Sequence, residues 1–319
     1  MTKRVFAVSA HPDDIEFYMA GTMILLGRAG YELHLMTIAN GSCGTLHHTR
    51  EEIIRIRREE SRAAAAFIGA IHHESLVEDM SIFFEPATLA KLTAVMREVA
   101  PEILLTLSPV DYMEDHQNAA RLAATAAFAR GMPNFPTTPP VTAVDQEVTV
   151  YHAQPHGNCD PLGQPIVPGI YVDITDVLPQ KRTMLAHHQS QKLWLDESQG
   201  MDSYLDMMEA LSGEIGAMSG RFAYAEGWRR RLHLGYCAAD ADPLTAYEED
   251  GGDYSRYLRE LGLVAAQCAH LVAPGGFVVW NVADICHRGV TTHLIEDCRR
   301  VLGEHLREVG TTDIVWDRY

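Results

Sequence analysis

Val5–Ile38, VFAVSAHPDDIEFYMAGTMILLGRAGYELHLMTI, reads as strand, helix and strand. Val5–Ala10 is a short apolar run ending at His11, and Glu32–Ile38 is a second such run. Between them Ile15–Ala29 carries apolar residues at helical spacing and stops at Gly30. Strand, crossover helix and strand in such a short stretch make a βαβ unit, and its right-handed crossover implies a parallel sheet.

The same alternation continues outward. Arg50–Ile68 is a helix closed by Gly69, Ala87–Val99 is a helix stopped at Pro101, Ile103–Leu107 is a buried strand, and Asn118–Arg130 is a helix. Pro- and Gly-rich residues 131–175 hold two strand-like runs, Val148–His152 and Ile170–Ile174. Helices are expected from Val177 to about Leu195 and from about Ser203. The fold class is therefore α/β: a Rossmann-like, mostly parallel sheet with helices on both faces. Gly235–Asp253 is acidic, contains a Gly pair and reads as a linker. Beyond it a helix (Tyr254–Ala273), a strand (Gly276–Val282) and a helix (Thr292–Val309) form a C-terminal α/β extension. The expected division is a main domain over residues 1–250 and an extension over 251–319.

At 319 residues with 47% hydrophobic and 22% charged content, the chain can build a core without disulfides. Its net charge of −17 makes a nucleic-acid backbone a poor partner. The one basic run, Arg55–Arg62, is interleaved with Glu59 and Glu60 and reads as a solvated helix face. The six cysteines are irregularly spaced with no CxxC pair, which argues against a cysteine zinc site and a disulfide framework. The N-terminal apolar stretch is too short for a signal peptide, and no run approaches about 20 apolar residues. The expectation is a cytoplasmic protein with no membrane segment.

Open α/β sheets bind ligands beyond the carboxyl ends of their strands. His11–Asp14, Asn40–Gly44 and Ser108–His116 each follow a predicted strand. His11-Pro12-Asp13-Asp14 offers one imidazole and two carboxylates at a turn, a set suited to a borderline cation that takes a further ligand from elsewhere. Asp13 or Asp14 could equally cap the helix starting near Ile15. Asp111–His116 supplies a second His–carboxylate cluster, and the two clusters together favour a metal site over two capping segments.

AHPDDIE at Ala10–Glu16 and DYMEDH at Asp111–His116 resemble motifs of the PIG-L/LmbE deacetylase family. Asn40-Gly41-Ser42-Cys43-Gly44, Arg57 with Glu60, Val172–Thr175 and the HxSQ-like His188-Gln189-Ser190-Gln191 extend the resemblance over about residues 3–250. It implies a zinc ion on His11, Asp14 and His116, with Asp13 as the general base. Such a set leaves zinc an open position. The implied reaction is hydrolysis of an N-acetylated amino sugar or related small acetamide to acetate and a free amine. Asp13 would take the proton from water, and Asp13 or a neighbouring acid would protonate the departing amine.

The resemblance gives Arg57 a substrate hydroxyl, whereas helical spacing would also pair it with Glu60. Asn40 and Gly41 could meet a ligand or only make a turn. Met113 stands where the family commonly has a histidine that stabilises the oxyanion, and a thioether donates no hydrogen bond. His188 is the expected substitute, with His187, His152 and His156 behind it. Trp194, Tyr224, Trp228 and Arg229 could form a sugar-stacking wall or belong to the core.

The tail, with Leu271–Asp284 and Asp313–Trp316, resembles the back half of an amino-group DNA methyltransferase. It has neither a glycine-rich cofactor loop nor an Asp/Ser-Pro-Pro-Tyr motif, so a non-catalytic role is expected. The expected partner is a small N-acetylated molecule, with no nucleic acid and no membrane, and a homo-oligomer is left open. A non-catalytic metal- or sugar-binding protein, suggested by Met113, and a DNA methyltransferase are the rivals.

Overall fold

The computed structural model describes residues 2–199, 204–232, 235–236, 285–287 and 290–292. The chain divides into two compact units, Met1–Glu248 and Glu249–Tyr319.

The first unit is built on a seven-stranded sheet. Its strands are β1 (Arg4–Ser9), β2 (Glu32–Thr37), β3 (Ile71–His73), β4 (Ile103–Thr106), β5 (Thr149–Ala153), β6 (Ile170–Asp173) and β7 (Ala225–Arg230), in the order β3-β2-β1-β4-β5-β7-β6. β1 to β5 run parallel, and β7 pairs antiparallel with both β5 and β6. Central β1 is flanked on both sides, Val5 facing Leu33 on β2 and Ile103 on β4. Val5–Val8 are completely buried, which explains the unbroken apolar run in the sequence.

The helices are α1 (Asp14–Tyr18), α2 (Ala20–Arg28), α3 (Arg50–Phe67), α4 (Pro86–Val99), α5 (Glu114–Ala129), α6 (Leu178–Leu185), α7 (Gln189–Gln199) and α8 (Tyr204–Ser219). α5 lies against β1 and β4 and packs on α4. α2 lies against β1 and β2 and packs on α6, which also meets α1, α3 and α8. α3 begins with a complete capping box between Thr49 and Glu52.

Two expected helices are broken, for one physical reason. The helix over Ile15–Ala29 stops and restarts at Met19, whose φ of −132° is not helical. The free amides at the start of α2, Gly21 N and Thr22 N, donate to the Glu226 carboxylate at 2.8 Å each. Lys181 Nζ balances that buried charge at 2.7 Å. The helix expected over Val177–Leu195 splits around Ala186–His188, and Ser190 at the start of α7 donates from N and Oγ to Glu60 at 2.9 and 2.6 Å. In both cases a carboxylate from a distant element caps a new helix start. Strands β3 and β7 were absent from the sequence reading.

In the second unit the described residues form a hairpin of β8 (Ile285–His287) and β9 (Val290–Thr292). The helix expected over Tyr254–Ala273, the strand over Gly276–Val282 and nearly all of the linker Gly235–Asp253 lie outside the described residues. So does the helix expected after Thr292, which itself ends β9.

Candidate active site

The chain leaves β1 towards β2 and β3 on one side, and takes up β4 and β5 on the other. The topological switch point is therefore between β1 and β4, where α/β sheets bind ligands. His11–Asp14 follows β1 and Asp111–His116 follows β4, so the two histidine clusters meet at this point. The loops after β2 and β3 reach the same rim.

One ligand atom from each of His11, Asp14 and His116 lies within 4.8 Å of the others. His11 Nδ1 is 3.8 Å from Asp14 Oδ2, and His116 Nε2 is 3.3 Å from Asp14 Oδ1. The other nitrogen of each ring faces a second carboxylate. His11 Nε2 is 2.9 Å from Asp115 Oδ2, and His116 Nδ1 is 3.2 Å from Asp111 Oδ1, the latter off-line for a hydrogen bond. Carboxylates behind both imidazoles are what metal-ligating histidines use to hold ring orientation and tautomer. The donor set thus fits a divalent cation.

The charges agree. Burial works against a charged His116, but Asp14 and Asp111 outweigh it and push its pKa up to about 10. Burial raises Asp14, yet His116 and His11 hold it down at about 2. A proton on His116 thus balances charge in a place where an arriving cation would displace it.

Asp13 and Asp14 are adjacent in sequence yet turn to different partners. Pro12 constrains the turn, and Asp13 takes a left-handed φ of 102°, a strained conformation for a residue with a Cβ. Asp14 Oδ2 accepts from His11 N at 2.7 Å, while the Asp13 carboxylate accepts a short hydrogen bond from the Tyr204 hydroxyl. Burial and the charge of Asp14 push Asp13 up to about 6, against the opposing effects of Arg57, His188 and Tyr204. A buried carboxylate beside the cation position, able to take and return a proton near neutral pH, suits a general base.

A cavity of about 340 Å³ opens over these groups. Its wall includes His11, Asp13, Asp14, His116 and Arg57, and also Met113, His156 and Trp194. Arg57 is 3% exposed, and its Nε and Nη2 make no hydrogen bond. Glu60, its expected helical partner, is bonded to Ser190 instead.

Two expected site residues are not on the wall. Asn40 is half-buried near the strand end, its Oδ1 buried without a partner. His188 is 1% exposed and lies 3.1 Å from Glu16 Oε1. Burial lowers its pKa, but Glu16, Asp13 and Glu60 outweigh burial and raise it. His188 therefore stands behind Asp13 in a buried ion pair. Of the aromatic candidates, Trp228 is fully buried and donates to Thr22 Oγ1, so it belongs to the core.

Several groups went unassigned from sequence. Asp79 clamps the loop after β2 by accepting from Gly41 N and Cys43 N at 2.7 and 2.9 Å. Met80 N donates to Asp115 at 2.7 Å, tying the loop after β3 to the metal site. Asp111 and Asp115 lay inside a motif already singled out, whereas Tyr204, on α8, carried no sequence signal.

Residues 6–127 match the family described as PIG-L: GlcNAc-PI de-N-acetylase. A diacetylchitobiose deacetylase from Thermococcus kodakarensis is 26% identical over 243 residues, covering 71% of this chain and 82% of that protein. A 4-oxalmesaconate hydratase from Pseudomonas putida is 29% identical over 187 residues, covering 56% of this chain and 70% of that protein. The crystal structure of the 4-carboxy-2-hydroxymuconate hydratase from Pseudomonas putida KT2440 superposes with a TM-score of 0.63 at 23% identity, covering 76% of this chain and all of that one. None of these matches is to a methyltransferase, so the resemblance of the tail finds no support in them. The family match runs from β1 to α5 and takes in both histidine clusters, so this part of the chain is similar to the PIG-L family.

Proposed function

We propose that this chain is a zinc-dependent N-deacetylase that releases acetate from an N-acetylated amino sugar or related small acetamide. The observation that carries this reading is a His11–Asp14–His116 donor set with the buried Asp13 carboxylate beside it. Two imidazoles and one carboxylate form a borderline donor set suited to zinc. A cation held by His11, Asp14 and His116 would supply Lewis acidity, activating water and polarising the amide carbonyl.

The remaining steps belong to the chain. Asp13 takes a proton from the attacking water as the carbonyl carbon–oxygen bond forms. It returns the proton to the nitrogen as the carbon–nitrogen bond breaks, giving acetate and amine. Tyr204 holds one Asp13 oxygen by its hydrogen bond, leaving the other for the proton transfer. Asp115 and Asp111 orient the two imidazoles. Met113 is on the wall and cannot donate to a developing oxyanion. His156 is the wall histidine we assign to that task in place of His188. Burial holds its pKa below the ordinary value despite Asp111, so it is a neutral imidazole with one N–H to give.

The assignment extends to residues 1–250 as the catalytic domain and 251–319 as a non-catalytic extension, in a cytoplasmic enzyme without a nucleic-acid partner. No helix among the described residues is long and apolar enough to cross a membrane.

A second reading is favoured by the hydratase relative: the same groups could add water across an activated carbon–carbon double bond. One metal-loaded sample decides between them when offered N-acetylated sugars and, separately, unsaturated dicarboxylates. The deacetylase reading expects acetate from the first and no loss of alkene absorbance from the second; the reverse pattern overturns it.

A further inference from the structure

Tyr18 brings to the cavity a hydroxyl that no described residue binds. It is the last residue of α1 and stands four after Asp14, so the two share one face of the helix, a turn apart. Helical side chains tilt towards the helix N-terminus, which leans the phenol back over Asp14. The ring is fixed by its neighbours. It stands edge-on to His116, with centroids 6.3 Å apart and planes at 82°, and packs on Phe17 at 4.9 Å. Phe17 in turn lies 6.2 Å from the ring of His156.

Other donors on the wall are spent or covered. Tyr204 gives its hydroxyl to Asp13. Arg57 Nε and Nη2 are sealed where Gly41 and Gly44 close over the side chain. Tyr112 is 59% exposed, so water competes for its hydroxyl. Tyr18 is half-buried, and its hydroxyl is not among the sealed polar atoms. Burial, and after it Asp14, Asp111, Tyr112 and Asp13, push the Tyr18 pKa well above the ordinary value. The groups that act on the hydroxyl are those of the metal site, so it faces them, and it carries its proton at the pH where Asp13 works.

We propose that Tyr18 is a catalytic residue whose O–H donates to the acyl oxygen as the amide carbon becomes tetrahedral, beside the N–H of His156. This rests on the deacetylase reading and adds a second donor where Met113 offers none. A hydroxyl gains more from an oxygen taking on negative charge than from a neutral carbonyl, so its contribution falls on kcat rather than KM. The hydroxyl is unpaired in the free protein, so removing it breaks no internal bond.

The test compares full-length, zinc-loaded wild type with Tyr18→Phe, which keeps the ring and removes only the hydroxyl. Acetate release from N-acetylglucosamine should fall about 100- to 1000-fold in kcat, with KM within about threefold. Metal content and melting temperature should not change. A second readout needs no turnover: calorimetric binding of the same sugar carrying a methylphosphonyl group in place of the acetyl, a mimic of the tetrahedral carbon. Tyr18→Phe should bind this mimic about 100-fold more weakly or worse. A variant that keeps the wild-type kcat overturns the inference and leaves the deacetylase standing. So does one that loses kcat yet binds the mimic as tightly as wild type. A melting temperature that falls together with kcat returns Tyr18 to the scaffold and also overturns it. Wild type that releases no acetate and binds the mimic no better than the acetamide sinks the deacetylase reading, and this inference with it.

Discussion

Replacing Asp115 should weaken metal binding although Asp115 is not itself expected to be a ligand. The residue is 3% exposed. Its Oδ2 lies 2.9 Å from His11 Nε2 and accepts from Met80 N at 2.7 Å, and the Ile82 amide also reaches the carboxylate. Burial raises its pKa, but the bonds from His11, Met80 and Ile82 outweigh burial and hold it below the usual range. In Asp115→Ala all three donors lose their partner, and His11 loses the group that orients its ring. Removing such an outer partner costs 10- to 100-fold in metal affinity, or about 1.4–2.7 kcal/mol. Asp115→Asn can still offer one oxygen to His11 and Met80 but turns an NH₂ towards Ile82 and loses the charge. Asparagine should therefore fall near the tenfold end and alanine near the hundredfold end. The two stranded backbone amides should also lower the melting temperature of metal-free Asp115→Ala, at about 1–3 kcal/mol each. Competition against a chromophoric chelator gives the affinities. A folded Asp115→Ala protein that binds metal as tightly as wild type would refute the tether.

Asp13→Asn should keep its metal and lose on the order of 10²–10⁴ in turnover, measured as acetate release beside metal content. His156→Ala should lower kcat by about a hundredfold or more with metal unchanged. His188→Ala should instead lower the melting temperature, because it leaves Glu16 buried and unpaired at a cost of about 3–5 kcal/mol. His152 supplies a pH signature. Burial, reinforced by Arg231 and Arg229 and opposed by the Leu107 carbonyl, pulls its pKa down to about 4. The unfolded chain then holds this proton more tightly. The stabilisation is complete above about pH 6.5 and is lost as pH falls towards 4, by roughly 3 kcal/mol in all. Melting curves of His152→Gln should be flatter than wild type across that window.

The parallel sheet was legible because β1, β2 and β4 are buried on both faces and read as plain apolar runs between amphipathic helices. The His11, Asp14 and His116 set was legible for a related reason, since both clusters directly follow strands of one sheet. What the sequence hid depends on contacts across long separations. Met19 gives no local sign of a helix break, because the carboxylate that starts α2 comes from Glu226 on β7. β7 itself, Ala-Glu-Gly-Trp-Arg-Arg, has three charges in six residues and is a strand because β5 and β6 pair with both its edges. His188 was singled out by a motif, yet its partner is Glu16 of another motif, and the Ser190–Glu60 bond joins a second such pair. Motif residues that hold one another in place look the same in sequence as residues that meet a substrate.

The most direct test of the account is acetate release by the wild-type chain after chelation and zinc restoration, run beside His116→Ala. The account predicts acetate and free amine in equal amounts, abolished by chelation, recovered with zinc in the wild type and not recovered in His116→Ala. Acetate release that survives chelation, or a His116→Ala protein that works at the wild-type rate, would contradict it.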